Sequence, residues 1–403
     1  MRVLVADRLN EDSLDEMRAL PVEVAYEPDI KPEALPQALD GVNVLVVRGT
    51  EVRERALRAG KALNLIIRAG AGVSNIDVAM ASERGIYVAN CPGKNAAAVA
   101  ELTFTLIGCI DRRVPDAVAS LRSGQWEKHE FARAAGLAGR KIGILGLGHV
   151  GRAVLKLAHA YGLRAYAHSR SLTPARGAEL GVTCVKGPEE LAREVDILTV
   201  HLELVERTRG IVSRRVLEAL PDGAMFVNTA RPELVDYAAL VELAPKKRLR
   251  LGLDVFPDEP GTRVGSYAHP VLSTGLVYAT PHIGASTDEA QTAIANECVR
   301  ILRSFVTKGE VPNVVNISTT SWSRYQLVVR HIDKVGALAN VLAVLKRHGI
   351  NIHELDNTVF DGGRAACAKI RLGSRPSEEC LTEIMAFSDE ILHVDLVTLP
   401  NLA

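Results

Sequence analysis

Short runs of branched apolar residues recur along the chain, separated by stretches whose apolar positions repeat every three or four residues. Val3–Ala6, Val44–Val47, Leu65–Ile67 and Ile86–Val88 are the first four runs. Runs this short and this continuously apolar read as strands covered on both faces, with the helical stretches as crossovers of a parallel sheet. The pattern restarts after Gly139-Arg140, with Lys141–Leu145, Arg164–Ala167, Ile197–His201, Ala224–Val227, Leu251–Val255 and Val277–Ala279. Two parallel sheets are expected, joined by a helix from about Ala96 to Leu121.

The chain changes character near its end. Val311-Pro312-Asn313 and the Ser/Thr stretch Ser318–Ser323 read as a linker. After it come a strand (Tyr325–Arg330), a helix (Gly336–His348), strands near Ile352–Val359 and Ala366–Leu372, a helix (Ser377–Phe387) and a strand (Ile391–Leu399). That order, β-α-β-β-α-β, is the ferredoxin-like unit.

Composition narrows what such a chain does. Its 403 residues suggest two to four domains, and 47% hydrophobic content supplies their cores. Lys plus Arg and Asp plus Glu each number 48, so the net charge is zero, which argues against a polyanion partner such as nucleic acid. Aromatics at 4% leave little for base stacking. No apolar run is long enough to span a membrane, and Met1–Asp7 reads as a strand and not a secretory leader. Cys91, Cys109, Cys184, Cys298, Cys367 and Cys380 lack metal-ligand or disulfide-frame spacing. They read as free thiols of a reduced compartment, so a cytoplasmic location and no metal are expected.

Candidate chemistry begins at Gly146-Leu-Gly148-His149-Val150-Gly151, directly after a strand and opening a helix. The three glycines allow a tight turn, close approach to a pyrophosphate and close helix–strand packing, and the helix start supplies free N–H groups. The acidic residue that holds a ribose is expected about 20 positions on. It falls near Ala167, followed by His168, Ser169 and Arg170. A hydroxyl and an arginine suit a 2′-phosphate, so NAD and NADP both stay open. Three later segments follow strands: Asn228-Thr-Ala230-Arg231, Asp254-Val-Phe-Pro-Asp-Glu259-Pro260, and Thr280-Pro-His282-Ile-Gly284-Ala-Ser-Thr287. Open α/β sheets bind ligands at such strand ends. Reduction of a 2-oxo acid needs a cation for the carboxylate, which suits Arg231, and a proton donor near neutral pH, which suits His282. A carboxylate beside that histidine, Glu259, would orient it.

These segments, with Arg68-Ala-Gly-Ala-Gly-Val-Ser-Asn75 and Ala100-Glu101-Leu102, resemble the D-isomer-specific 2-hydroxyacid dehydrogenases, within them the branch that oxidises 3-phosphoglycerate. The resemblance covers about residues 1–316. It implies that Arg231 binds substrate, that His282 is the acid/base and that Glu259 is its partner. Asp254 would meet the nicotinamide carboxamide. Gly70, Ala71, Gly72 and Val73 would offer amides to the substrate carboxylate, and Arg48 would meet its phosphate. The implied cofactor set is Gly146, Gly148, His149, Val150, Gly151, His168, Ser169, Arg170, His201, Ala230, Asp254, His282 and Gly284. The C-terminal segment resembles an ACT domain through His331-Ile-Asp333-Lys-Val-Gly336 and Gly349-Ile-Asn351-Ile. The resemblance implies that His331, Asp333 and Asn351 bind L-serine or another amino acid. Asp333 replaces the family's usual asparagine, Pro232-Glu233 its usual Gly-Gly, and Arg48-Gly49-Thr50 its usual Arg-Ser.

The expected fold is α/β, with two Rossmann-like doubly wound domains, one of them discontinuous, and a ferredoxin-like α+β ACT domain. The discontinuous substrate domain takes residues 1–98 and 287–316, the nucleotide domain 99–286, the linker 317–323 and the ACT domain 324–403. The expected partners are a small-molecule substrate (3-phosphoglycerate or a related 2-hydroxy or 2-oxo acid) and NAD or NADP, in a homodimer or homotetramer. A hydroxypyruvate or glyoxylate reductase and a non-catalytic nucleotide-responsive interaction protein are the competing readings.

Overall fold

The computed structural model describes residues 1–260, 264–318, 323–387 and 389–399. Of the expected linker, residues 319–322 lie outside the described residues. The chain separates into two compact units, Met1–Asn316 and Ile317–Ala403.

The first unit contains two sheets whose strands are all parallel. One comprises β1 (Arg2–Val5), β2 (Glu23–Tyr26), β3 (Val44–Val47), β4 (Leu65–Arg68) and β5 (Tyr87–Ala89), in the order β2-β1-β3-β4-β5. The other comprises β6 (Lys141–Leu145), β7 (Arg164–His168), β8 (Thr183–Cys184), β9 (Ile197–Val200), β10 (Met225–Asn228), β11 (Arg250–Leu253) and β12 (Val277–Ala279). Its order is β12-β11-β10-β9-β6-β7-β8, the doubly wound arrangement whose direction reverses between β6 and β9. Strands β3, β9 and β10 are buried at every position, which is why they read as apolar runs with only Thr199 and Asn228 as polar members.

Two helices tie the sheets together. Helix Ala96–Arg112 lays Phe104, Leu106, Ile107 and Ile110 on Ile142, Ile144, Met225 and Val227 of the second sheet. Gly252 permits that approach, because a methyl group there would meet Leu106 Cβ at 3.1 Å. Helix Asp288–Lys308, capped by the Thr287 hydroxyl, returns to the first sheet and packs Ile294, Cys298, Ile301 and Leu302 against Val3, Val5, Leu65 and Ile67.

Some local expectations are corrected. The connecting helix does not run unbroken to Leu121: it ends at Arg112, Arg113 turns left-handed (φ 51°), and a second helix covers Val114–Arg122. Pro115, in the first turn of that second helix, has no N–H to continue the first. Val311–Asn313 is not linker. Asn313 Nδ2 donates to Asn90 O and Glu297 Oε1, and Val315 N donates to Val88 O, so the segment is fastened to the first sheet.

The second unit is an antiparallel sheet of β13 (Tyr325–Ile332), β14 (Ile352–Val359), β15 (Ala365–Leu372) and β16 (Ile391–Thr398), in the order β14-β15-β13-β16. Helices Ala337–Arg347 and Glu378–Met385 complete the β-α-β-β-α-β order and bury Val341, Leu345 and Ile384 with Leu327, Val329 and Ile370.

Candidate functional site

The glycine loop follows β6 at the point where strand order reverses. Gly146 (φ 99°) donates its N–H to His168 O, and a methyl group there would lie 2.5 Å from His201 O. A methyl group on Gly151 would lie 2.0 Å from Gly146 O. Gly148 faces open space, where a methyl group would meet nothing within 4 Å. It stands at the start of helix His149–Ala160, whose first turn has no side-chain cap. Free N–H groups around an open glycine fit a pyrophosphate.

The remaining expected cofactor residues divide. Of His149 only the backbone belongs to the loop, because its ring lies against Gly93, where a methyl group would meet Cδ2 at 2.7 Å. Val150 is half-buried behind it. Ala167 is fully buried in the core beside Ile144, so the counted position for an acidic residue faces away from any ribose. His168 is tied by Nδ1 to Val185 O, Ser169 is half-buried, and Arg170 is exposed. His201 is buried, pairs through Nε2 with Thr199 Oγ1 at 2.8 Å, and is pushed down to about 3 by burial, so its ring is neutral near pH 7. Gly284 is buried against Asp254, and its N–H donates to that carboxylate.

Arg231, Glu259 and His282 leave the ends of three neighbouring strands. Asn228 shapes the first turn: its Oδ1 accepts from Ala230 N and its Nδ2 donates to Arg231 O. Arg231 Nη2 lies 2.7 Å from where a methyl group on Gly72 would sit, so the guanidinium adjoins the Gly70–Val73 turn. His282 adopts a left-handed backbone (φ 52°), and its Nδ1 meets Glu259 Oε2 at 2.6 Å. That pairing puts the ring proton on Nδ1 in the neutral form and leaves Nε2 for a reacting group. Burial raises the Glu259 carboxyl, but the His282 contact, the Phe256 N–H and Arg231 outweigh it and hold it below its usual value.

Asp254 holds the loop that carries His282. Its oxygens accept from Thr280 Oγ1 at 2.6 Å, Ile283 N at 2.8 Å and Gly284 N at 2.9 Å, and its backbone O accepts from His282 N. Burial nevertheless raises its carboxyl above the ordinary value. These contacts make Asp254 an anchor of that loop within the chain.

Two residues escaped the sequence reading. Arg68, at the end of β4, is half-buried, and its guanidinium lies where a methyl group on Gly70 would fall. Burial first, then Arg231 and Arg48, lower it to about 10. Its Nε is buried without a hydrogen-bond partner among the described residues. Asp7, after β1, accepts from the backbone N–H of Arg48, Gly49 and Thr50 at 2.6, 3.0 and 2.9 Å and so fixes the Arg48 loop. Arg48 itself bonds Gln291 of the returning helix. Arg68 stands inside the motif at 68–75, and that position was its only signal.

In the second unit the expected effector residues do not meet. His331 is buried, with Nε2 on Asn357 Oδ1 and Nδ1 on Ile332 O. Asp333 follows β13 at the same end, whereas Asn351 precedes β14 beside Leu372 and Tyr325 at the other. Six strand positions, about 20 Å, separate the two ends.

Residues 104–284 match the family described as D-isomer specific 2-hydroxyacid dehydrogenase, NAD binding domain. A hydroxypyruvate reductase of Thermotoga maritima is 39% identical over 302 residues, 74% of this chain and 96% of the relative. The chain belongs to the D-isomer specific 2-hydroxyacid dehydrogenases. A D-3-phosphoglycerate dehydrogenase of Methanocaldococcus jannaschii is 34% identical over 343 residues, 83% of this chain, and the match spans 64% of that relative's length. Among solved structures, an NADPH-dependent glyoxylate/hydroxypyruvate reductase of Sinorhizobium meliloti in complex with NADP and malonate superposes with TM-score 0.68 at 27% identity, covering 78% of this chain and 96% of the other. No helix among the described residues is long and apolar enough to cross a membrane.

Proposed function

We propose that this chain transfers a hydride between a nicotinamide cofactor and C2 of a small 2-hydroxy or 2-oxo acid, and that its substrate pair is 3-phosphoglycerate and 3-phosphohydroxypyruvate. The observation that carries the reading is the His282–Glu259 pair at 2.6 Å on strand ends neighbouring the one that sets Arg231 against Gly72. A bound nicotinamide supplies or accepts the hydride. His282 Nε2 gives its proton to the substrate oxygen in reduction and takes it in oxidation, while Glu259 holds the imidazolium in place. Arg231 binds the carboxylate and offsets charge developing on the reacting oxygen, assisted by the amides of Gly70–Val73.

Arg48 and Arg68 favour the phosphorylated substrate. A half-buried guanidinium with its Nε shielded and unbonded, set beside two others, is costly unless an anion joins them, and a phosphate supplies acceptors for such donors. The match to hydroxypyruvate reductase over nearly the whole of that relative favours a second reading, an unphosphorylated 2-oxo acid. Exposed Arg170 and the core position of Ala167 favour tolerance of NADP beside NAD. The second unit is proposed as an ACT module. His331/Asp333 and Asn351 lie at opposite ends of one sheet, so an amino-acid effector touching all three requires two copies of the unit, consistent with a homo-oligomer.

The test is steady-state reduction of 3-phosphohydroxypyruvate and hydroxypyruvate with NADH and with NADPH, with and without L-serine. The expected result is a kcat/KM that depends on the phosphate and loses that dependence in Arg48→Ala. Equal kcat/KM for both acids in the wild type would select the reductase reading, and absence of turnover with NADH binding retained would reject both.

A further inference from the structure

The turn that presents Glu259 is pinned from outside by two tyrosine hydroxyls. Tyr237, the first residue of helix Tyr237–Lys247, is buried, and its hydroxyl donates to Val255 O at 2.5 Å. Tyr267 donates to Pro257 O at 2.8 Å. Between these two carbonyls stands Phe256, whose N–H donates to Glu259 Oε1 at 2.8 Å. Just upstream, Asp254 anchors the His282 loop. Asp258, directly before Glu259, turns left-handed (φ 54°), a region aspartate tolerates better than most residues. The two tyrosines are themselves joined through His269, which meets Tyr237 edge-on at 5.6 Å and lies parallel to Tyr267 at 6.4 Å.

We propose that Tyr237 and Tyr267 form a brace that positions Glu259 against His282, so that the hydroxyl groups of two residues away from the reacting atoms set how well the imidazolium is held. This rests on the reading of Glu259 and His282 as the acid–base pair. The carboxylate can hold its Nδ1 contact only while the backbone of residues 255–257 keeps Phe256 N–H under its other oxygen. A free turn would let Glu259 swing toward solvent, where the ion pair is weak. The hydroxyls also sense the carboxylate: burial first, and the Glu259 charge among further causes, raise both phenols, so they remain donors across the working pH range. The other charged groups that bear on this cluster are Arg231, Asp254, Asp258 and Glu233, and the substitutions below leave them in place.

The experiment uses the full chain and compares Tyr237→Phe, Tyr267→Phe, the double variant, Glu259→Gln and His282→Gln in reduction of the preferred 2-oxo acid with NADH across the pH range. A brace predicts that kcat of the double variant falls about tenfold. It also predicts that reduction fails at a lower pH than in the wild type, in the direction of Glu259→Gln, with the Kd for NADH unchanged. A double variant with wild-type kcat and pH profile beside an impaired Glu259→Gln overturns the brace and leaves the acid–base reading standing. A loss of equal size at every pH also overturns it, because that marks a structural role alone. Wild-type turnover in Glu259→Gln and in His282→Gln overturns the acid–base reading, and the brace with it. If the double variant does not fold, Tyr267→Phe alone, at a half-buried position, is read for the same shift.

Discussion

Replacing Glu297 by glutamine should loosen the first unit in a pH-dependent way. Glu297 sits on the returning helix with its side chain 6% exposed, and three segments meet on it. Arg300 binds both oxygens at 2.6 and 3.1 Å, Asn313 donates at 2.7 Å, and Lys94, from the loop leading into the connecting helix, approaches to 3.2 Å. The Arg300 contact, then the other donors working against burial, pulls its carboxyl from 4.5 to about 2. At about 1.4 kcal/mol per tenfold change in proton affinity, full coupling would amount to about 3 kcal/mol. Arg300 and Lys94 are 53% and 40% exposed, so solvent screening reduces this to about 1–2 kcal/mol. The sign follows from a lowered native value: the contribution is complete above 4.5 and disappears as pH falls toward 2. Urea unfolding of wild type and Glu297→Gln at neutral pH and at successively lower pH measures it. The variant should be less stable by about 1–2 kcal/mol at pH 7, with the gap closing in acid. A gap that stays constant with pH, or is absent at pH 7, would refute the ion-pair account.

Other outcomes follow from close approaches and burial. Gly72→Ala sets a methyl group 2.7 Å from Arg231 Nη2, so KM for the 2-oxo acid should rise about tenfold while the Kd for NADH holds. Gly151→Ala sets one 2.0 Å from a backbone carbonyl that cannot yield, and both NADH binding and about 3 kcal/mol of stability should go, as titration and thermal unfolding will show. His201, lowered from 6.5 to about 3, contributes stability above 6.5 that is lost as pH falls, so the Tm of His201→Asn should decline less than wild type between those values.

Much of this protein was legible along the chain. A strand buried on both faces is predominantly apolar, so the central strands announced themselves, and the glycine loop, Arg231, Glu259 and His282 lay in ordered segments after them. The elements that escaped are those whose burial is partial. β2 is an edge strand with one exposed and three half-buried residues, and β8 has two residues, so neither shows a run. The break at Arg113 escaped because apolar spacing continues through Val114, Val118 and Leu121, although their face is exposed.

Convergence across the fold was the part the chain order could not carry. Periodicity reports which face of an element is buried, but not which distant residue it meets. Asp7 gripping the Arg48 loop, Arg68 standing with Arg48 and Arg231, and Tyr237 and Tyr267 clamping the Glu259 turn each join residues from separate elements. A count along the sequence set the ribose position at Ala167, whereas strand β7 turns that side chain into the core. The sequence by itself determined the element types and the kinds of chemical group at the strand ends, because burial and backbone geometry act locally. The tertiary structure decided which of those groups share a site, because electrostatic and hydrogen-bond contacts depend on distances that only the packed sheets set.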